Sequence, residues 1–432
     1  MNLNIPVSKN PRIVLIGGGF AGLAFAKSMR NKPYQIVLID KNNYHTFQPL
    51  LYQVATGGLE PDSIAHPIRK VLRGADNLYF RMAEVQQVSK EEQCLITNCG
   101  QLKYDYLVIA TGSQPNFFGF TPEKEKLMPL KSVANALDMR SYVLQNFESA
   151  IAIEDKSKQQ GLINIVIVGG GPTGIELAGA LGEMKKYVFP KDYPHFDVSK
   201  MRIVLFEAAD RLLAVMSKEA SAKSLEYLEK FGVEVYLNAL VESYDGHLVK
   251  TKNGQTIQTE TLIWTAGVMG NFPEGVNKEA IVRGNRLKVN EFCLIEGTKN
   301  IYAVGDVAAM ITEELPRGHP MLAPVAVQQA QFLAKNFLLA AKGKSLKPFK
   351  YKDKGTMATV GRNKAVVDLP NWKFQGMFAW FVWMFVHVLI LVGFRNKLSA
   401  LWNWTYNYFT YDRAIGLIIR PFARRINNGN KQ

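Results

Sequence analysis

The chain has 432 residues, with 52 lysines and arginines against 37 acids for a formal net charge of +15, and with 47% apolar residues, 11% aromatics and 34 glycines. That composition excludes a disordered polyelectrolyte and supplies apolar material for two or three cores at roughly 100–200 residues per domain. Its three cysteines, Cys94, Cys99 and Cys293, form no CxxC pair, which argues against a disulfide framework, a cysteine-rich metal site and a dithiol redox centre. The N-terminal stretch MNLNIPVSKNPRIVLIGGGF runs into an apolar strand without the pattern of an export signal, so folding in the cytoplasm is expected.

Residues 12–40 read as a βαβ unit: an apolar run, a glycine cluster, a helical stretch and a second apolar run closed by Asp40. Gly17, Gly19 and Gly22 form GxGxxG between strand and helix. Gly17 permits the tight turn, Gly19 admits a pyrophosphate to the backbone, and Gly22 lets the helix lie close to the strand; Asp40 is placed to accept from ribose hydroxyls. Cys94 and Cys99 fall in a predicted hairpin.

The same unit recurs at 164–182, NIVIVGGGPTGIELAGALG, with Gly169, Gly171 and Gly174 at the three positions, and the next apolar run, RIVLFE, ends in Glu207. Two dinucleotide sites are implied. A carboxylate at Glu207 would bind ribose hydroxyls and repel a 2′-phosphate, favouring NADH over NADPH, unless it is a solvated acid at a strand end. YLVIATG at 106–112 and NIYAVGDV at 300–307 are two further strand-and-turn strings; Asp306 could accept from a sugar alcohol or cap a helix.

Gly376–Phe394, GMFAWFVWMFVHVLILVGF, contains no Lys, Arg, Asp or Glu, and as one helix would measure about 28 Å. From Arg395 to the end come seven basic residues, among them Arg413, Arg420, Arg424 and Arg425, and one acid, Asp412, interleaved with aromatics. No helix-turn-helix, zinc-finger or RNA-recognition signature accompanies this basicity, so a lipid surface is the expected partner and nucleic acid is not. A pair of helices lying in one leaflet is expected; a spanning helix and a buried dimer helix are the alternatives.

Taken together, GxGxxG near the N-terminus, ATG at 110–112, the second GxGxxG and GD at 305–306 resemble the two-dinucleotide-binding-domain flavoprotein disulfide-reductase superfamily. No cysteine pair stands in NYHTFQPLLYQVATG (43–57), so thiol chemistry is not expected. That string, with GGGPTGIELAG, WTAGV (264–268) and GTMATVGRNKAVVDL (355–369), closely resembles type II NADH:quinone oxidoreductases, and the likeness runs from about Arg12 to Arg420.

The resemblance implies an α/β fold of two Rossmann-like dinucleotide-binding domains, the second inserted in the first, plus a C-terminal membrane-associating helical region. The expected limits are 1–130 and 276–345 for the FAD domain, 131–275 for the NADH domain and 346–432 for the C-terminal domain. For non-covalent FAD it implies Gly17, Gly18, Gly19, Phe20, Ala21 and Gly22 of the first loop and helix start, then Asp40 and Lys41. It adds His45, which could equally be a satisfied loop histidine, and Val85; then Ala110, Thr111, Gly112, Asp306 and Ala323. For NADH it implies Gly169, Gly171, Pro172, Thr173 and Gly174, with Glu176, Glu207, Ala266 and Gly267. For quinone it implies Gln328 and Ala326, from a partial match of MLAPVAVQQAQ (321–331) to the family's quinone motif that departs at Pro324 and Ala330, and also Pro49; Gln328 could instead be a plain helix-start amide.

Glu176 is the catalytic candidate, a carboxyl that burial would suit to proton relay, against the plainer reading of a favourable acid in a helix's first turn. The implied activity is non-proton-pumping transfer of two electrons from NADH through FAD to a membrane quinone. The enzyme would lie on the cytoplasmic face of the inner membrane, peripheral or monotopic, with a homodimer compatible. The rivals are an NADH-dependent reductase of a soluble carrier and a redox-sensing interaction protein.

Overall fold

The computed structural model describes residues 3–120, 124–410, 416–418 and 421–422. Arg413, Arg420, Arg424 and Arg425, expected to face lipid headgroups, lie outside the described residues. The chain divides into two compact units, each assembled from three stretches.

The first unit comprises Met1–Thr46, His66–Gln114 and Val268–Asp353. Its centre is a parallel sheet in the order Ile301–Ala303, Tyr106–Ile109, Arg12–Ile16, Gln35–Asp40, Leu78–Met82. Ile13, Val14, Leu15 and Ile36–Ile39 are fully buried, which accounts for the unbroken apolar runs: a sheet buried on both faces has no polar side to alternate with. The helices Phe20–Ser28 and Ala323–Ala340 pack together. Phe337 of the second helix meets Phe25, Tyr34, Tyr106 and Tyr302 edge-on at 5.2–5.9 Å. In the predicted hairpin, Cys94–Thr97 with Gly100–Lys103, Cys94 opens the first strand and Cys99 sits in the turn, and all three cysteines are unbridged.

The second unit comprises Phe47–Ala65, Pro115–Gly267 and Lys354–Gln432. It repeats the theme with a parallel sheet ordered Met128–Pro129, Thr261–Trp264, Ile165–Val168, Ile203–Phe206, Val233–Tyr236. Val166, Val204, Phe206, Leu262 and Trp264 form its core. The long helix Val133–Ala152 is started by a capping box in which Ser132 and Asn135 satisfy each other's backbone N–H. The helix Pro172–Glu183 passes directly into a π-helical turn, Met184–Val188.

Against this helix lies an antiparallel three-stranded sheet, Thr356–Thr359, Ala365–Asp368 and Lys373–Gln375. The approach is close: a Cβ on Gly179 would stand 2.9 Å from the carbonyl carbon of Val360 and 3.0 Å from the nitrogen of Gly361. Glycine is required there because backbone, which cannot swing aside, fills the space.

The apolar stretch 376–394 is not one helix. Helix Met377–Ile390 ends as Leu391 turns extended, Gly393 adopts φ +91°, and a second helix, Phe394–Thr410, begins. Lys397 closes the first helix by donating from Nζ to the carbonyl of Leu389 at 2.7 Å. Among the described residues no helix is long and apolar enough to cross a membrane.

Gly179→Ala should destabilise the protein by about 1–3 kcal/mol through overpacking, reversing the gain of ~1 kcal/mol that alanine ordinarily brings to a helix interior. Thermal melting monitored by far-UV circular dichroism reads the sign directly.

Candidate active site

In the first unit the glycine loop is built by contact. Gly17, at φ +102°, donates its N–H to Ile39 O at 2.8 Å, and a Cβ on it would strike Ala110 O at 2.4 Å and come within 3.1 Å of Thr111 Cα. The expected Ala110 and Thr111 therefore form the wall of the turn. Gly22 presses on Gly17 O, while no atom lies within 4 Å of where a Gly19 Cβ would be. Gly19 starts the Phe20–Ser28 helix without a side-chain cap, so amides at that end remain available to a phosphate.

Asp40 does more than wait for a sugar. One of its carboxylate oxygens accepts the Gly18 N–H at 2.6 Å and the other the Asn42 N–H at 2.7 Å; burial raises its pKa, and these two bonds oppose the rise. Lys41 is exposed beside it. His45 is buried edge-on to Phe20, with Nδ1 3.1 Å from Gly18 O, and its Nε2 is buried without a partner. Burial lowers its pKa to about 4, so the ring is neutral; with Nδ1–H donating to Gly18, Nε2 is a buried acceptor. The loop histidine is only half satisfied.

Gly112 accepts from Asn271 N–H at 3.2 Å, and Thr111 Oγ1 donates to Asn271 O. Asp306 accepts Ser113 Oγ–H at 2.6 Å and caps no helix, since the short turn that contains it begins at Val304 without a side-chain bond. Gly305, at φ +79°, fits against Ala21 and Ala326, and its N–H donates to Gln329 Oε1 at 2.8 Å. Ala323 begins the Ala323–Ala340 helix, and Val85 starts the strand Val85–Ser89, half-buried.

Sequence reasoning missed Ser113, Asn271, Gln329 and Arg286. Arg286 is buried and donates to the carbonyls of Asp306 (3.0 Å), Ala308, Arg317 (3.1 Å) and His319 (2.9 Å), holding the Gly305–Asp306 turn. Gln329 was one residue from a residue that had been singled out. Gln328 itself has both ends of its amide on the backbone of Lys352, each at 3.0 Å. Of the other quinone candidates, Ala326 is buried in the first unit and Pro49 half-buried in a 3₁₀ turn of the second.

The second unit rebuilds the cradle. Gly169, at φ +109°, abuts Ala266, whose nitrogen would lie 2.7 Å from a Cβ; Gly174 presses on Gly169 O; around Gly171 there is open space. Pro172 opens the helix without a side-chain cap before it, and Thr173 is exposed. Gly267 accepts from Asn116 N–H at 3.0 Å. Glu207 repeats the device of Asp40, accepting Gly170 N–H at 2.5 Å and Ala209 N–H at 2.7 Å, so it is not a merely solvated strand end.

Glu176 stands in the second turn of its helix, not the first, which removes the reading of a dipole-favoured terminal acid. It is buried, and its hydrogen bond, from Thr359 N–H, is long at 3.5 Å. Burial therefore dominates and pushes its pKa up to about 8. Thr359 also lines a partly open pocket. Its lining combines aromatic residues, Tyr52, Trp380, Trp383, Trp404 and Tyr408, with polar ones, Gln53, Thr56, Glu183, Arg362 and Asn407. Trp404 Nε1 donates to Gln53 Oε1 at 2.6 Å and Asn407 Nδ2 to Gly58 O at 3.0 Å, tying the last helix to the segment 47–65.

Comparison with known proteins fits this geometry. Residues 11–330 match the model of the pyridine nucleotide-disulphide oxidoreductase family, and residues 354–411 that of the NDH2 C-terminal domain. A type II NADH:quinone oxidoreductase of Mycobacterium tuberculosis, Ndh, is 34% identical over 427 residues, covering 95% of this chain and 91% of that protein. The type II NADH:quinone oxidoreductase of Haemophilus influenzae is 29% identical, covering 86% and 91%. Plasmodium falciparum NDH2, solved with NADH, shares the fold with a TM-score of 0.87 at 21% identity, covering 95% of this chain and all of that one.

The raised pKa of Glu176 has a sign in stability. Between 4.5 and about 8 the folded protein holds a proton that the unfolded chain has lost, so this contribution is complete at acid pH and disappears as pH rises through about 8. Glu176→Gln has no such proton to lose. Its melting midpoint relative to the parent should climb steadily from pH 5 to pH 8 and then level off; parallel curves would mean that the carboxyl is hydrated.

Proposed function

We infer the workings of this site from the family: the chain belongs to the pyridine nucleotide-disulphide oxidoreductases and, within them, to the type II NADH:quinone oxidoreductases. It is an FAD-dependent enzyme that passes two electrons from NADH to quinone without pumping protons. The observation that carries the assignment of sites is the duplicated cradle, each copy tied to the acid that ends its second strand.

FAD fits the first cradle. Amides at the start of Phe20–Ser28 would hold its pyrophosphate, Asp40 its ribose, and Asp306, oriented by Ser113 and by the Arg286 clamp on its turn, its sugar-alcohol chain. His45 Nε2 would accept a hydrogen bond there. Bound FAD supplies the exchange of two electrons between NADH and quinone. NADH belongs in the second cradle, its pyrophosphate over Gly169, Gly171 and Gly174 and its adenosine ribose on Glu207.

Glu176, neutral near pH 7, is the proton donor to quinone. For quinone itself, Pro49, Ala326 and Gln328 remain the candidate contacts. Gln328 would act through its tie to Lys352, because both ends of its amide are engaged. We keep the domain limits 1–130, 131–275, 276–345 and 346–432; the interval between the two family matches, which end at 330 and resume at 354, brackets the last of them. Reduction of a soluble carrier is not favoured, and an enzymatic family argues against a pure redox sensor.

Attachment to the cytoplasmic leaflet as a monotopic protein, monomer or homodimer, is supported by the last two helices. Phe378, Phe381, Phe385 and Leu389 form an exposed stripe on one, and Phe394, Leu398, Leu401, Trp402 and Phe409 are exposed on the other.

Anaerobic stopped-flow mixing tests the reading. NADH, and NADPH far less, should bleach the flavin, and a short-chain quinone should restore it. Glu207→Gln keeps an acceptor for Gly170 N–H but removes the charge, and should narrow the preference for NADH by about tenfold in kcat/KM, ~1.4 kcal/mol. Phe381→Asp with Phe385→Asp should abolish co-sedimentation with phosphatidylglycerol-containing vesicles while leaving flavin reduction by NADH intact.

A further inference from the structure

The reaction NADH + H⁺ + quinone → NAD⁺ + quinol draws one proton from the medium in each turnover. Glu176 is buried, so once it has given up a proton it needs a route of resupply. Among the described residues one carboxyl on the same helix is placed for that task. Glu183 lies seven residues further along the same helix, on the same face and roughly 10 Å away along the axis.

Three observations single it out. The turn seated on Gly179 presents a backbone N–H to each of the two carboxyls, from Thr359 to Glu176 and from Arg362 to Glu183, the latter at 2.5 Å. The pocket runs along this seam: Thr359, Gly361, Arg362, Ala180 and Glu183 all line it. Its polar lining groups offer partners that can hold waters, which a purely apolar lining would not. Finally, Glu183 is the last residue before the helix changes its hydrogen-bonding pattern. The π turn that follows at Met184–Val188 is a distortion common at functional sites.

We propose that Glu183 is the outer carboxyl of a two-member proton relay and resupplies Glu176 through water in this cavity. The proposal rests on Glu176 as proton donor to quinone. In the step, the Glu176 O–H bond breaks as a quinol O–H bond forms, the electron pair coming from NADH through the flavin. The Glu176 carboxylate takes a proton from a cavity water, that water takes one from the Glu183 carboxyl, and Glu183 takes one from the medium. Glu183 touches no reactant and acts through Glu176. Lys364 lies within electrostatic reach of it, while the Arg362 guanidinium is engaged on the carbonyls of Asn407 and Tyr408.

Glu183→Gln is the test, since glutamine keeps an acceptor for Arg362 N–H and leaves the turn seated. In anaerobic stopped-flow of the FAD-loaded protein, reduction by NADH should proceed at the parental rate. Reoxidation by a short-chain quinone should slow by about tenfold or more, with steady-state kcat lowered, KM for quinone unchanged, and the rate restored by tens of millimolar formate. Glu183→Asp, which keeps a carboxyl, should retain most of the rate. Parental reoxidation in Glu183→Gln overturns the proposal. So does a raised KM for quinone at unchanged kcat, which would make the cavity a quinone pocket, and so does slowing that neither formate nor aspartate relieves, which would make Glu183 structural. Failure of quinone to reoxidise the parent protein would instead overturn the activity on which the proposal stands.

Discussion

The second unit's chemistry depends on the contact between Gly179 and the turn at Val360–Gly361. A glycine in mid-helix sacrifices about 1 kcal/mol of helix propensity, and here it admits a second backbone to about 3 Å from where a Cβ would stand. With that turn in place, Glu176 is shielded from bulk solvent and left with a single long hydrogen bond within the protein, which offsets little of the penalty for ionising. A larger residue at 179 would lift the turn, hydrate the carboxyl and return it to the ordinary carboxylate range. Steric fit at one position thereby sets the protonation state at another.

The two cradles show a related economy. Asp40 and Glu207 each use one carboxylate oxygen on the second glycine of their loop and the other on the strand's own continuation. Each oxygen has lone pairs to spare for a ribose hydroxyl. In the proposed assignment, the acid that would read the sugar is thus also the acid that shapes the glycine loop. The longer chain between Gly174 and Glu207 does not disturb the arrangement, because the parallel pairing of Ile165–Val168 with Ile203–Phe206 fixes where the strand ends.

This explains what could be read from sequence. The glycine fingerprints, the terminal acids and the ATG and GD strings were legible because each is a backbone requirement met within a short stretch. What escaped notice depends on distant partners. Gln328 and Gln329 are adjacent, and only the rotation of their helix, about 100° per residue, decides that Gln329 meets Gly305 while Gln328 turns to Lys352. The clamp of Arg286 on four carbonyls has no signature, since its acceptors are main chain. The break at Leu391–Gly393 was hidden in an apolar run with one glycine near its end, where composition suits a folded-back pair as well as a straight rod.

That break also bears on how the enzyme holds to lipid. A helix of 14 residues measures about 21 Å, short of the ~30 Å hydrocarbon core of a bilayer. Its inner side is committed to protein: Ala379, Trp383 and His387 are buried, and burial keeps the imidazole neutral by lowering its pKa to about 4. Only the outer stripe is left for lipid. In the proposed monotopic attachment, each exposed Phe or Leu of the pair that leaves water contributes up to about 1.5–3 kcal/mol, against ~1 kcal/mol for a basic residue near an anionic surface. The aromatic stripe therefore outweighs the basic tail, and because apolar burial is not screened by salt, the attachment should persist at ionic strengths that cancel the contribution of charge.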